Sequence, residues 1–181
     1  NFNGTQVIAT ANNTLNFIST TVDNAVIGTG GLLLDNNGFN LVAPKGLSGT
    51  GGLVKSGSGS LTLGGVNSYA GSNTVNAGKL TLNGDSSGTG SITLADGTAL
   101  GINQANPANS LDPANVTFGT SGATTLDLNL GNFSGNPSAA PLNVTGTLTL
   151  NGTVTLNVAD QFPAIGSTPL VSYVGPKAGA G

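Results

Sequence analysis

The chain contains no Cys, Met, Trp, His, Arg or Glu. Without Cys there is no disulfide framework and no thiol nucleophile, a pattern that fits a secreted bacterial protein but also occurs inside cells. Without His or Cys there is no conventional zinc site, and a serine nucleophile lacks its imidazole base. Charge is scarce too, at 6% of residues against about 25% in an ordinary soluble domain. The cations are Lys45, Lys55, Lys79 and Lys177, and the seven acids are all Asp. Four scattered Lys make no basic stripe, so nucleic acid is not an expected partner. No apolar run approaches the roughly 18–20 residues of a membrane-spanning helix.

Gly, Asn, Thr and Ser fill the space that charge leaves. Thr is β-branched and suits a pleated surface. Gly and Asn tolerate the left-handed backbone of tight corners. Gly and Pro together make 38 of 181 residues, below the roughly 25–30% that marks disordered sequence.

Short alternating runs lie between Gly/Asn corners. The clearest are Ser60–Leu63, Lys79–Leu82, Ser91–Leu94, Thr125–Leu130, Thr147–Leu150 and Thr153–Val158. In each, Leu, Ile or Val takes one face and Thr, Ser or Asn takes most of the other. Corners are expected at 36–38, 51–52, 57–59, 83–84, 96–97 and 151–152. The intervals from Leu61 to Leu80 and from Leu126 to Leu148 are each roughly 20 residues, the size of a β-solenoid coil with two or three short strands. At about 20–25 residues per coil the chain makes roughly seven to nine coils.

The rival architecture is an antiparallel β-sandwich built from hairpins. Asn151-Gly152 is the strongest hairpin signal. A two-residue hairpin there, however, puts Leu148 and Leu150 on the face of Thr153 and Thr155, with Val154 and Leu156 opposite. A bend that keeps the alternation puts Leu148, Leu150, Val154, Leu156 and Val158 all inward. The expected fold is therefore an all-β parallel solenoid forming a single unit over 1–181. Loops interrupt it near 103–115, with Pro107 and Pro113, and near 131–141, with Pro137.

The stretch 51–84 reads GGLVKSGSGSLTLGGVNSYAGSNTVNAGKLTLNG. Gly51, Gly52, Leu53, Lys55, Gly57, Gly59, Leu61, Thr62, Leu63, Gly65, Asn67, Tyr69, Gly71, Val75, Gly78, Leu80, Asn83 and Gly84 closely resemble the passenger-associated repeat of bacterial autotransporters. Gly64 stands where that pattern usually has Ser, and Ser72-Asn73 where it often has Gly-Thr. The resemblance implies a right-handed parallel β-helix, export across a Gram-negative-type outer membrane, and display or release at the cell surface. In that family the repeat is associated with passenger folding and transport. No translocator barrel follows within the 181 residues, so a fragment of a longer protein, or a borrowed repeat, is expected.

The expected site inventory is empty: no catalytic residue, no cofactor and no metal. Polysaccharide-cleaving β-helices need carboxylate pairs, and no two Asp are adjacent here. Asp35 with Lys55, or Asp85 with Asp96, are the pairs that could meet on neighbouring coils. A solvated turn Asp is the plainer reading of each. The calcium-binding nonapeptide repeat is absent, and 29–35 only grazes it. Asn-X-Ser/Thr triplets occur at Asn3, Asn12, Asn115, Asn132, Asn143 and Asn151, as composition alone produces. Tyr69, Phe118, Phe133 and Tyr173 are the aromatics that either stack on sugar or pack inside.

The leading expectation is an extracellular structural or adhesive solenoid, displayed on the surface or assembled into a filament, and not an enzyme. Its expected partners are further copies of itself, added end to end, and a host-surface or polysaccharide ligand. The alternatives are a β-helix carbohydrate-active enzyme and a passive translocation module.

Overall fold

A computed structural model describes residues 1–88, 90–131, 133, 136–159 and 166–180. Among these there is no helix. The strands, in chain order, are β1 (Thr5–Ile8), β2 (Val26–Ile27), β3 (Leu32–Asp35), β4 (Leu41–Ala43), β5 (Ser48–Gly49), β6 (Leu53–Ser56), β7 (Ser60–Leu63), β8 (Asn73–Val75) and β9 (Lys79–Asn83). They continue as β10 (Ile92–Leu94), β11 (Ala99–Asn103), β12 (Val116–Phe118), β13 (Thr124–Asn129), β14 (Leu142–Val144), β15 (Leu148–Leu150), β16 (Val154–Ala159), β17 (Val171–Tyr173) and β18 (Lys177–Ala178).

Successive strands do not pair with each other; they take turns among three sides. The first side is an eight-stranded sheet, β1-β3-β6-β8-β10-β12-β15-β18. The second is a six-stranded sheet, β4-β7-β9-β11-β13-β16, extended by the bridge Asn13↔Leu41. The third is patchier. It holds the pairs β2-β5 and β14-β17, the bridges Phe2↔Ile27 and Leu111↔Leu142, and links such as Ala70 N–H to Gly49 O at 2.9 Å between them. All the pairings are parallel. The molecule is a parallel β-solenoid, and the sandwich is excluded.

Asn151-Gly152 is accordingly a corner. It passes the chain from β15 on the first side to β16 on the second, with Gly152 at φ +66°. A residue with a side chain is strained there, and a Cβ would collide with Gly122 O on the coil before.

The period-two pattern decides what is inside. Leu61, Leu80, Leu100 and Leu126 stack in register along the second sheet, and Ile92, Val116 and Leu148 along the first. Leu61, Leu63, Leu80, Leu82, Ile92 and Leu94 are all buried. Leu156 continues the same inward column, yet it is 44% exposed, because β16 is the last strand of its sheet.

Coil length is uniform only in the middle. Leu53, Asn73 and Ile92 occupy equivalent rungs, at steps of roughly 20 residues. The next equivalents, Val116, Leu148 and Lys177, follow at longer intervals. The expected coil length therefore holds for the central step from Leu61 to Leu80. Leu126, however, pairs with Leu156 and Leu148 with Val116, on different sides, so the interval between them is not a coil, and inserted loops lengthen the later coils. Residues 105–110 hang largely exposed outside the stack, whereas Leu111 is buried and forms a rung of the third side. The two loop regions meet: Ser138 N–H donates to Pro107 O at 2.9 Å, and Gln104 Nε2 donates to Ala139 O at 3.3 Å. Several residues of the 131–141 stretch lie outside the described residues.

Candidate functional site

Chemistry-bearing side chains gather at two places, one inside a corner and one on the outer surface of the second sheet.

Inside, Lys55 shares the parity of Leu53 and so points into the core, between Leu34 and Val75 of the neighbouring rungs. It is 0% exposed. Its Nζ donates to Gly57 O at 2.9 Å, Ala77 O at 2.8 Å, Asn36 Oδ1 at 3.3 Å and Ser56 O at 3.5 Å. A buried ammonium thereby ties together carbonyls of the corners on successive coils. Burial brings the Lys55 ammonium down to about 8, and the nearby Asp35 charge pulls it back up. The pairing of Lys55 with Asp35 expected from the sequence is thus a field effect. Asp35 Oδ1 instead accepts the Asn37 N–H at 2.7 Å. Alternation from Leu53 turns Lys55 inward, while Asp35 stays in its turn.

Outside, residues of the second sheet form three outward columns, with rungs about 4.8 Å apart. One column holds Lys79, Ala99 and Thr125; the middle one Thr81, Gly101, Asp127 and Asn157; the third Asn83, Asn103 and Asn129. Lys79 leans across from its own column, and its Nζ reaches Asp127 Oδ2 at 2.6 Å, two rungs away. Asn157 Nδ2 donates to the other oxygen at 2.7 Å. Burial pushes the Asp127 carboxyl up, but the Lys79 and Asn157 donors and the Lys79 charge outweigh it and hold it below the usual range. Gly101 makes this reach possible: a Cβ there would come 2.9 Å from Lys79 Cε and 2.6 Å from Thr81 Oγ1. Thr81, outward by register, is only 7% exposed in this crowded spot. The result is a groove of about 390 Å³ of mixed polar and apolar lining, with Thr81, Asn103, Asp127, Asn129, Asn157, Leu128 and Ala159 on its walls.

The remaining sequence candidates are dispersed. Asp85 and Asp96 do not meet. Asp96 accepts from Thr120 Oγ1 at 2.6 Å, Thr120 N at 2.7 Å and Ser121 N at 3.3 Å, and these bonds hold its carboxyl down to about 2. Asp85 accepts from Asn109 Nδ2 at 3.3 Å. Among the described residues no three potential metal ligands come together. Tyr69 and Phe118 are core residues, and Tyr69 OH donates to Asn73 Oδ1 at 2.6 Å. Phe133 is half-buried, and Tyr173 is the exposed aromatic of the four.

The Asn-X-Ser/Thr asparagines have a structural use. Asn3 and Asn12 accept the N–H groups of Gly30 and Asn40 on the next coil, at 2.7 and 2.8 Å. Asn115 accepts Thr147 N–H at 2.8 Å, Asn143 donates to Asp112 at 2.9 Å, and Asn151 donates to Gly119 O at 3.0 Å. Each of these five stitches one coil to another. Asn132 lies outside the described residues.

The fold and its polar stitching define a parallel β-solenoid whose rungs repeat at near-constant length through its centre. Residues 53–80 and 77–98 match the family model of the passenger-associated-transport-repeat. The chain therefore carries two adjacent copies of that repeat, consistent with an autotransporter passenger domain, and the matched residues are those of the most regular coils. The match runs beyond the stretch picked out in the sequence, to residue 98. No curated protein and no solved structure matches the chain. A passenger repeat implies a secreted or surface-exposed location. No helix among the described residues is long and apolar enough to cross a membrane.

Proposed function

We propose that this chain is a non-enzymatic structural and adhesive rod, held on the outer surface of a Gram-negative-type bacterium and able to extend by end-to-end stacking. One observation carries the reading. The inward column repeats from rung to rung in parallel register through Leu61, Leu80, Leu100, Leu126 and Leu156, so each described rung offers the next the same apolar stack. Eight rungs on the first side, about 4.8 Å apart, make a body about 34 Å long. Backbone hydrogen bonds along its axis make each rung the template of the next. An unpaired strand edge with low charge accepts another strand, and a head-to-tail contact that does not close gives a filament. The carboxylates support the non-enzymatic part: Asp96 and Asp127 are each committed to holding coils together.

Light scattering and negative-stain microscopy of the purified chain test the stacking. Rods or oligomers that lengthen with concentration are expected, and a monodisperse monomer at high concentration overturns it. Adhesion of cells displaying the chain to polysaccharide-coated surfaces tests the adhesive role. Cleavage of any acidic or neutral polysaccharide, abolished by a single Asp→Ala change, overturns the non-enzymatic reading.

A further inference from the structure

We infer that the groove on the outer face of the second sheet is a binding site for a neutral, extended polysaccharide lying along the solenoid axis. The inference rests on the adhesive part of the proposed function.

The first support is periodicity. Asn83, Asn103 and Asn129 occupy one column on successive rungs, so their amides repeat every ~4.8 Å. That step is close to the length of one pyranose in an extended glycan. An extended peptide turns a side chain to the same face only at every second residue and so runs out of step with the column. An amide not bonded within the protein offers a donor pair and an acceptor, which suits neighbouring ring hydroxyls.

The second support is which amides are available. Asn83 is committed to the protein, donating to Gly64 O at 2.8 Å and accepting Asp85 N–H at 2.9 Å. Asn129 gives its oxygen to Gly131 N–H at 3.0 Å, and its NH₂ makes no hydrogen bond among the described residues. Asn103 and Asn129 are both exposed. The site is thus built on Asn103 and Asn129, with Asn157 and Asp127 beside them on the middle column.

The third support is charge. Lys79 and Asp127 neutralise each other at 2.6 Å. A polyanion meets the Asp127 carboxylate and a polycation meets Lys79, so a neutral chain is favoured. Gly101 supplies the depth, since any side chain there displaces Lys79 or Thr81. None of the described residues lining the groove is aromatic. Without stacking, a single short oligosaccharide binds weakly, with a Kd on the order of 1 mM, and useful retention comes from many copies engaging one long polymer.

The test is titration of the purified chain with cellohexaose, mannohexaose and hexagalacturonate, followed by NMR shift changes. Asn103→Ala/Asn129→Ala is the groove variant, and Thr93→Ala/Thr117→Ala, on the first sheet, is the control. Both change outward residues, and circular dichroism checks that they fold. Saturable binding of a neutral hexasaccharide, weakened about tenfold or more in the groove variant and unchanged in the control, supports the site. Three results overturn it: no saturable binding, equal binding in the groove variant, or tighter binding of hexagalacturonate. Cell adhesion is measured in parallel. Adhesion that survives the groove variant removes the groove and leaves the adhesive role standing. Absence of adhesion by the unaltered chain removes that role, while the titration still decides the groove.

Discussion

Lys79 and Asp127, far apart in sequence, form an ion pair that skips a whole rung and passes over Gly101 to close at 2.6 Å. Both side chains keep roughly a third of their surface in water. Pairs of this kind contribute little, about 0.2–1 kcal/mol. A double-mutant cycle of Lys79→Ala and Asp127→Asn, read by urea unfolding, is therefore expected to give a coupling below about 1 kcal/mol. Gly101→Val should abolish that coupling, because the new side chain occupies the path of the lysine. Undiminished coupling in the Gly101→Val background would show that the lysine has another route.

Core and surface positions on one strand should separate clearly. Leu80 is 0% exposed and stacks between Leu61 and Leu100. Leu80→Ala is expected to cost about 2–5 kcal/mol. Thr81 points outward, but it is largely buried beside Gly101. Thr81→Ala should cost less than Leu80→Ala without being silent. Equal losses at the two positions would mean the inward parity is wrong.

Stability should depend on alkaline pH through Lys55. The unfolded chain keeps this proton to 10.5, and the folded chain releases it near 8. Between those values the unfolded state binds more protons, so stability rises with pH, and the benefit is lost as pH falls through 8. The full interval is worth about 3 kcal/mol. Tyr69 acts in the opposite direction. Burial raises its phenol above the unfolded value of 10.0, so the fold loses stability as pH climbs past that value. Urea midpoints between pH 7.5 and 9.5 should therefore rise for the natural chain and stay flat for Lys55→Met. Parallel slopes would remove Lys55 as the cause.

The asparagine stitches should be graded by burial. Asn67 is 2% exposed. It accepts Leu47 N–H at 3.0 Å and donates to Gly65 O at 2.8 Å. Asn67→Ala leaves a buried N–H without a partner and should cost about 1–3 kcal/mol. Asn115 makes the same kind of link in the open, where water replaces it. Asn115→Ala should lower the unfolding midpoint less than Asn67→Ala does.

Local chemistry determined much of this protein. The alternation of Leu with Thr set which side chains enter the core, because a strand turns its residues over with period two. Gly and Asn marked the corners, because few other residues accept that backbone. The regular step from Leu61 to Leu80, and the motif around them, identified the repeat. Even the inward course of Lys55 was legible, since it shares the parity of Leu53. Only the tertiary structure decided what lies across the coils. Lys79 meets Asp127 because the two coils between them have the lengths that bring Gly101 and then Asp127 into its register. A coil longer or shorter by a single residue would turn the partner to the opposite face. The groove over Gly101 and the packing of Ser138 on Pro107 both depend on such sums of coil and loop lengths. No local pattern encodes those sums, because they are set by where each rung finds its hydrogen-bonding neighbour.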